Sequence, residues 1–260
     1  MKKIILFVLI LISIRTIAQT TDFSLYQKQV YIVGTDTLPY RILLPVQYDR
    51  SKKYPLIIFL HGSGERGNNN EAQLSHGGSL FIEDSVRINY PAIVVFPQCP
   101  ANNFWSNVII DTANDSRRFT FRADGEPTSA MRSLMGLLSQ LQNQYKIDKH
   151  SIYIGGLSMG GMGTFELVRR EPKIFAAAFS ICGGADTSTA PKIKHTAWWI
   201  FHGLKDNVVD PHFSMNMAEA LKKSGAEVIL NLYTNDNHNS WDDALAEKDL
   251  LPWLFSHHRK

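Results

Sequence analysis

The sequence predicts a doubly wound α/β domain, a mostly parallel sheet flanked by helices, and three observations carry that prediction. Six short apolar runs, LIIFLHG, AIVVFPQ, IYIGGLS, AAAFSIC, AWWIFHG and VILNLYT, are continuous rather than alternating. Continuous apolarity implies burial on both faces, as in a parallel sheet covered by helices. Stretches with three- and four-residue apolar spacing fall between the runs, giving the strand–helix alternation of such sheets. Residues with chemical potential follow the runs closely, where sheets of this class place their ligands.

The first stretch, MKKIILFVLILISIRTIAQ, stands outside that pattern. Two lysines, an apolar run from Ile4 to Ile12 and small residues near Ala18 make the layout of a secretory signal peptide. Residues 1–19 are therefore expected to be removed on export to the periplasm or beyond, leaving 20–260 as one catalytic domain. The apolar run is too short for a membrane anchor, and Ser13 and Arg15 interrupt its continuation. No cysteine follows it to carry a lipid, so no stable membrane anchor is expected.

Export changes the charge argument. The chain has 27 Lys and Arg against 24 Asp and Glu, a net +3. Lys2, Lys3 and Arg15 lie in the leader, which holds no acid, so the remainder has 24 of each sign. That balance argues against a nucleic-acid or anionic-membrane partner. About 240 residues suit one large domain. Two cysteines, Cys99 and Cys182, exclude a disulfide scaffold. Their strands fall three places apart in the usual order, roughly 14 Å at ~4.8 Å per strand, whereas a bridge needs Cα atoms within about 7 Å. Free thiols are expected.

Along the chain, two extended segments, Val30–Val33 and Tyr40–Leu44, flank the turn GTDT. A helix is expected through Met131, Leu134, Met135, Leu138, Leu141 and Tyr145. Another runs through Phe213, Met217 and Leu221, with Asp210 as cap, Pro211 at its start and Gly225 past its end. A last helix is expected from Asp243 to Phe255. The connection from Asn102 to Pro127 is long and carries Phe104, Trp105, Arg117, Arg118, Phe119, Phe121 and Arg122. Connections of that length are usually functional or disordered, and the aromatics favour function.

The run IYIGGLSMGGMGTFELV, Ile152–Val168, contains the informative serine. GLSMG, Gly156–Gly160, fits G-x-S-x-G at a strand-to-helix turn, where a nucleophile sits on a sharp elbow and bulk two residues away on either side would clash. The following helix points its positive N-terminus at that centre. A serine hydroxyl needs a base, and the base an acid. Asp206 follows AWWIFHG and His238 follows VILNLYT, in the chain order Ser, Asp, His. Other histidines fit less well: His257 and His258 lie in the tail, His212 opens a helix, and His61 and His202 precede glycine at strand ends. Backbone N–H groups of Met159 and of Ser63, in the loop HGSGERG after LIIFL, are assigned to the oxyanion.

HGSGERG, PQCP followed by Trp105, GLSMGG, ICGG, HGLKD and HNSWDDA together resemble the secreted esterase branch of the α/β-hydrolase superfamily. That branch is similar to phospholipase/carboxylesterases, feruloyl-type esterases and proteins labelled predicted peptidases, and the likeness runs from about Tyr40 to the end. The resemblance implies the α/β-hydrolase fold, Ser158 as nucleophile, Asp206 as acid, His238 as base, and Ser63 and Met159 as oxyanion donors. Dienelactone hydrolases share the architecture but carry cysteine at the elbow, so Ser158 counts against that chemistry.

Trp105 and Trp241 sit beside catalytic strand ends and are expected to line the acyl or leaving-group pocket. Glu65 and Arg66 are candidates for substrate contact, with a loop-bracing ion pair as the alternative. No metal-ligand spacing appears and no cofactor is expected. The expected activity is hydrolysis of a small-molecule or polysaccharide-linked carboxylic ester, feruloyl or acetyl esters included. The alternatives are a serine peptidase of the same fold and a binding protein with a blocked pocket.

Overall fold

The computed structural model describes residues 22–112 and 117–259. The expected leader, residues 1–19, lies outside the described residues. β1 (Gln27–Val33) and β2 (Asp36–Leu43) form an antiparallel hairpin, closed by Gly34 at φ 59°. β3 (Tyr54–Leu60) is followed by the short helices α1 (Gly78–Ile82) and α2 (Asp84–Asn89), then by β4 (Ile93–Pro97). The long connection contains its own antiparallel ribbon, β5 (Val108–Asp111) and β6 (Arg118–Phe121).

α3 (Ser129–Gln144) leads into β7 (Ile147–Leu157), α4 (Met159–Arg170) and β8 (Ala177–Ile181). Then come α5 (Ala190–Ile193), β9 (Ala197–Gly203), α6 (His212–Lys223), β10 (Val228–Tyr233), α7 (Trp241–Leu245) and α8 (Leu250–Ser256). Eight strands form one sheet in the order β1-β2-β4-β3-β7-β8-β9-β10. β4 to β10 in that row are parallel, while β1 and β2 pair antiparallel.

Alternation within each run explains the continuous apolar pattern. Leu56, Ile58, Ile154, Trp198 and Ile200 pack on one face with Leu134, Leu138 and Phe165 of α3 and α4. Their neighbours Ile57, Phe59, Tyr153, Trp199 and Phe201 pack on the other with Phe81, Val86 and Leu250. Each fully buried side chain of this size contributes about 1.5–3 kcal/mol, so a run polar on either side could not hold a central place.

Helix ends follow local chemistry. Thr128 Oγ1 accepts from Met131 N at 3.1 Å and caps α3. α6 starts one residue later than expected, with Pro211 rather than Asp210 in the N-cap position, although Asp210 Oδ1 still accepts from His212 N at 2.9 Å; Gly225 turns at φ 83° beyond its end, as the sequence predicts. The expected single helix Asp243–Phe255 is instead two, α7 and α8. A continuous helix would press the Pro252 ring against the carbonyl of Lys248, so the chain breaks and places Pro252 in a new first turn. Among the described residues, no helix is long and apolar enough to cross a membrane.

Candidate active site

β7 ends at Leu157 and α4 begins at Met159, leaving Ser158 alone at the elbow with φ 52° and ψ −118°. A non-glycine residue there stores about 1–3 kcal/mol of strain. Close backbone approach sustains it: Ser158 N donates to Ile181 O at 2.8 Å. A Cβ on Gly156 would lie 2.5 Å from Gly160 O, and one on Gly160 would lie 1.9 Å from Leu60 O. The glycines flanking the serine are therefore required by its neighbours' backbone.

Three strand ends bring the expected groups together. His238 Nε2 lies 2.9 Å from Ser158 Oγ, and His238 Nδ1 lies 2.7 Å from Asp206 Oδ2. A charged carboxylate only accepts, so Nδ1 carries the proton and Nε2 is left to accept from Ser158 Oγ. Asp206 Oδ1 accepts from Val208 N at 2.8 Å and Val209 N at 3.0 Å. Burial opposes the charge on Asp206, but hydrogen bonds from His202, His238 and these two amides outweigh it and hold its pKa well below the usual carboxylate range. Cys182, buried at φ 42° beside this pair, has its thiol pushed up by burial and then by the Asp206 charge. A neutral thiol is a poor metal ligand, although Cys182, Asp206 and His238 offer atoms within 4.8 Å of one another. Cys99 and Cys182 are both buried free thiols.

The loop after β3 is laced from below. Gln98 Nε2 donates to Glu65 O at 3.0 Å, and Gly67 N donates to Cys99 O at 2.9 Å. Cys99 N donates to His61 Nε2 at 2.9 Å, which places the His61 proton on Nδ1, 2.6 Å from Gly62 O. Burial pushes His61 down to about 4, so it stays neutral. This loop and the start of α4 present Ser63 and Met159 to the space over Ser158. Among the described residues neither N–H donates to a protein acceptor, the condition for an oxyanion hole. His61 and Gln98 were legible only as strand-end residues; their partners lie across the sheet.

A cavity of about 420 Å³ opens over the serine. Ser63, Met159 and His238 reach it, and Phe104, Ile110, Phe119, Met162, Val208 and Val209 wall it. Trp105, expected to line this pocket, is 0 % exposed. It packs instead on α4, where a Cβ on Gly163 would lie 2.4 Å from Trp105 Cβ, and edge-on to His61 at 5.5 Å. Its neighbour Phe104 is the aromatic that faces the cavity. Trp241 also lies outside it: its ring meets His238 edge-on at 5.4 Å and His76 at 5.0 Å, and it lines a separate depression of about 280 Å³. No Glu65–Arg66 ion pair forms among the described residues; Arg66 donates to Ser63 O and Asn103 O.

The family profile described as Phospholipase/Carboxylesterase matches residues 44–249. The crystal structure of a thermostable esterase superposes with TM-score 0.81 at 32% identity, over 90% of this chain and 64% of that one. The chain thus spans less than two thirds of that protein's length. Lysophospholipase-like protein 1 of Mus musculus is 27% identical over 199 residues, covering 70% of this chain and 79% of its own. Feruloyl esterase B of Neurospora crassa is 25% identical over 232 residues, covering 75% and 73%. With its eight-stranded sheet, its serine elbow and this match across most of its length, the chain belongs to the phospholipase/carboxylesterase family and has the α/β-hydrolase fold.

Proposed function

We propose that the protein is an exported serine hydrolase that cleaves carboxylic esters through an acyl-enzyme. The observation that carries this reading is the unbroken chain Ser158 Oγ, His238, Asp206, with distances of 2.9 and 2.7 Å, at the mouth of a cavity walled in part by Phe104, Phe119 and Met162. Ser158 Oγ attacks the ester carbonyl as His238 Nε2 takes its proton. The tetrahedral oxyanion accepts from the N–H groups of Met159 and Ser63. Collapse breaks the bond to the alcohol, which leaves with the proton from His238. Water then gives a proton to His238 and its oxygen to the acyl carbon, and Ser158 leaves reprotonated with the acid released. Asp206 keeps the imidazole in the required tautomer throughout.

A 420 Å³ space beside Ser158 opposes the blocked-pocket alternative. Phe104 and Phe119 suit an aryl acyl group, and the feruloyl esterase relative supports polysaccharide side-chain esters as substrates. Lys2, Lys3 and the run Ile4–Ile12 support export. The test is pre-steady-state kinetics on acetyl, aryl and feruloyl esters with peptides as competitors. A burst of released alcohol on esters is expected. Cleavage of peptides with no ester burst would replace this reading with the peptidase alternative.

A further inference from the structure

We propose that the ester cleaved at Ser158 carries an anionic group, most simply a carboxylate, bound by Arg66; this rests on the esterase reading above. Arg66 lines the same cavity as Ser158 and His238, and no Asp or Glu does so among the described residues. A guanidinium in a substrate cavity with no carboxylate partner among the described residues, as Arg66 is, is a recognition feature for carboxylate or phosphate oxygens.

Arg66 is half-buried and already held in place. Its Nε donates to Ser63 O at 3.0 Å, its Nη1 donates to Asn103 O at 3.3 Å, and its guanidinium lies 5.6 Å from the centre of the Phe104 ring. These bonds use two of five N–H groups and neutralise no charge. Its neighbour Glu65 stands instead near His61 and His76, at 4.0 and 3.8 Å. By contrast Arg169 and Arg170 share the carboxylate of Glu166 at 2.7 and 2.8 Å. A guanidinium fixed by carbonyls and a ring loses little freedom on binding an anion. Ile110, Phe119 and Met162 line the same cavity, and a charge contact beside apolar walls is stronger than one in bulk water.

The anion can sit on the acyl or on the alcohol side, and two matched substrate pairs separate these. The acyl pair is para-nitrophenyl hydrogen adipate against para-nitrophenyl methyl adipate. The alcohol pair is para-carboxyphenyl butyrate against its methyl ester. Rates are read at low ionic strength as the ratio of kcat/KM for the carboxylate to that for the neutral ester. A ratio within one variant is independent of how much protein is folded. In one pair the wild type should favour the carboxylate by about tenfold, the scale of a charge-assisted hydrogen bond. Arg66→Gln should bring that ratio close to unity, and Arg66→Lys should keep part of it. Ratios near unity in both pairs for the wild type, or a ratio that survives Arg66→Gln, would overturn the inference and leave the esterase reading intact. Failure to cleave the neutral esters at all would instead count against the esterase reading itself.

Discussion

Asp206 Oδ2 is shared by two imidazoles, His238 Nδ1 at 2.7 Å and His202 Nε2 at 3.1 Å. His202 is fully buried, and its Nε2 also faces Val209 O at 3.0 Å while Nδ1 lies 2.7 Å from Ser214 Oγ. Two acceptors on one side leave Nε2 as the donor, so His202 anchors the carboxylate that orients His238. His202→Leu removes that bond to a charged group, worth about 1.5–3 kcal/mol. The expected result is a roughly ten- to hundredfold fall in kcat with little change in KM, partly restored by His202→Gln. Steady-state kinetics on one neutral ester reads both parameters; a loss confined to thermal stability would make His202 a packing residue only.

Asp206 and Asp210 make a matched pair for testing the acid. Asp210 is exposed and spends its carboxylate on His212 N and the His212 ring. Asp206→Asn should lower kcat by a factor on the order of 10⁴, the scale known for this change in a serine protease triad. Asp210→Asn should be silent within about 0.5 kcal/mol, as for most surface substitutions. Turnover of both purified variants decides between them, and inactivation by Asp210→Asn alone would reassign the acid.

Trp105 and Phe104 should part company. Trp105→Ala empties a fully buried site against Gly163, so it should cost about 3–5 kcal/mol of stability and depress all esters alike. Phe104→Ala should weaken aryl esters more than acetyl esters, because its ring walls the cavity. Denaturant melts together with kcat/KM on two acyl groups separate the outcomes; a substrate-selective loss in Trp105→Ala would restore it to the pocket.

Much of this was legible beforehand, and the exceptions have physical reasons. Runs such as AIVVFPQ and AWWIFHG read as central strands because burial on both faces leaves no polar alternation to confuse. The meeting of Ser158, Asp206 and His238 is legible because each comes soon after such a run. The place of Trp105 is not legible because an irregular segment has no periodicity to say which of two adjacent aromatics is buried. β5 and β6 are not legible because four-residue strands in a ribbon lack the length that alternation needs. His202 sits four residues before Asp206, but only the turn between them brings the rings and carboxylate together.

His61 makes the fold sensitive to mild acid. Burial lowers its pKa from 6.5 to about 4, so the unfolded chain binds the extra proton between those values. The His61 contribution to stability should then be full above about pH 6.5 and be lost as pH falls towards 4, by an amount on the order of 3 kcal/mol. Denaturant unfolding at pH 7 and pH 4.5 should show that fall, and His61→Gln should flatten it. An unchanged slope in His61→Gln would assign the acid sensitivity elsewhere.

The central claim is that Ser158 is an activated nucleophile. A fluorophosphonate reacts quickly only with a serine paired to a base, and mass spectrometry of the modified protein locates the adduct. One adduct per chain, on Ser158, is predicted for the wild type, with none in a folded Ser158→Ala variant. Labelling that persists in Ser158→Ala, or a folded wild type that fails to label, would contradict the account.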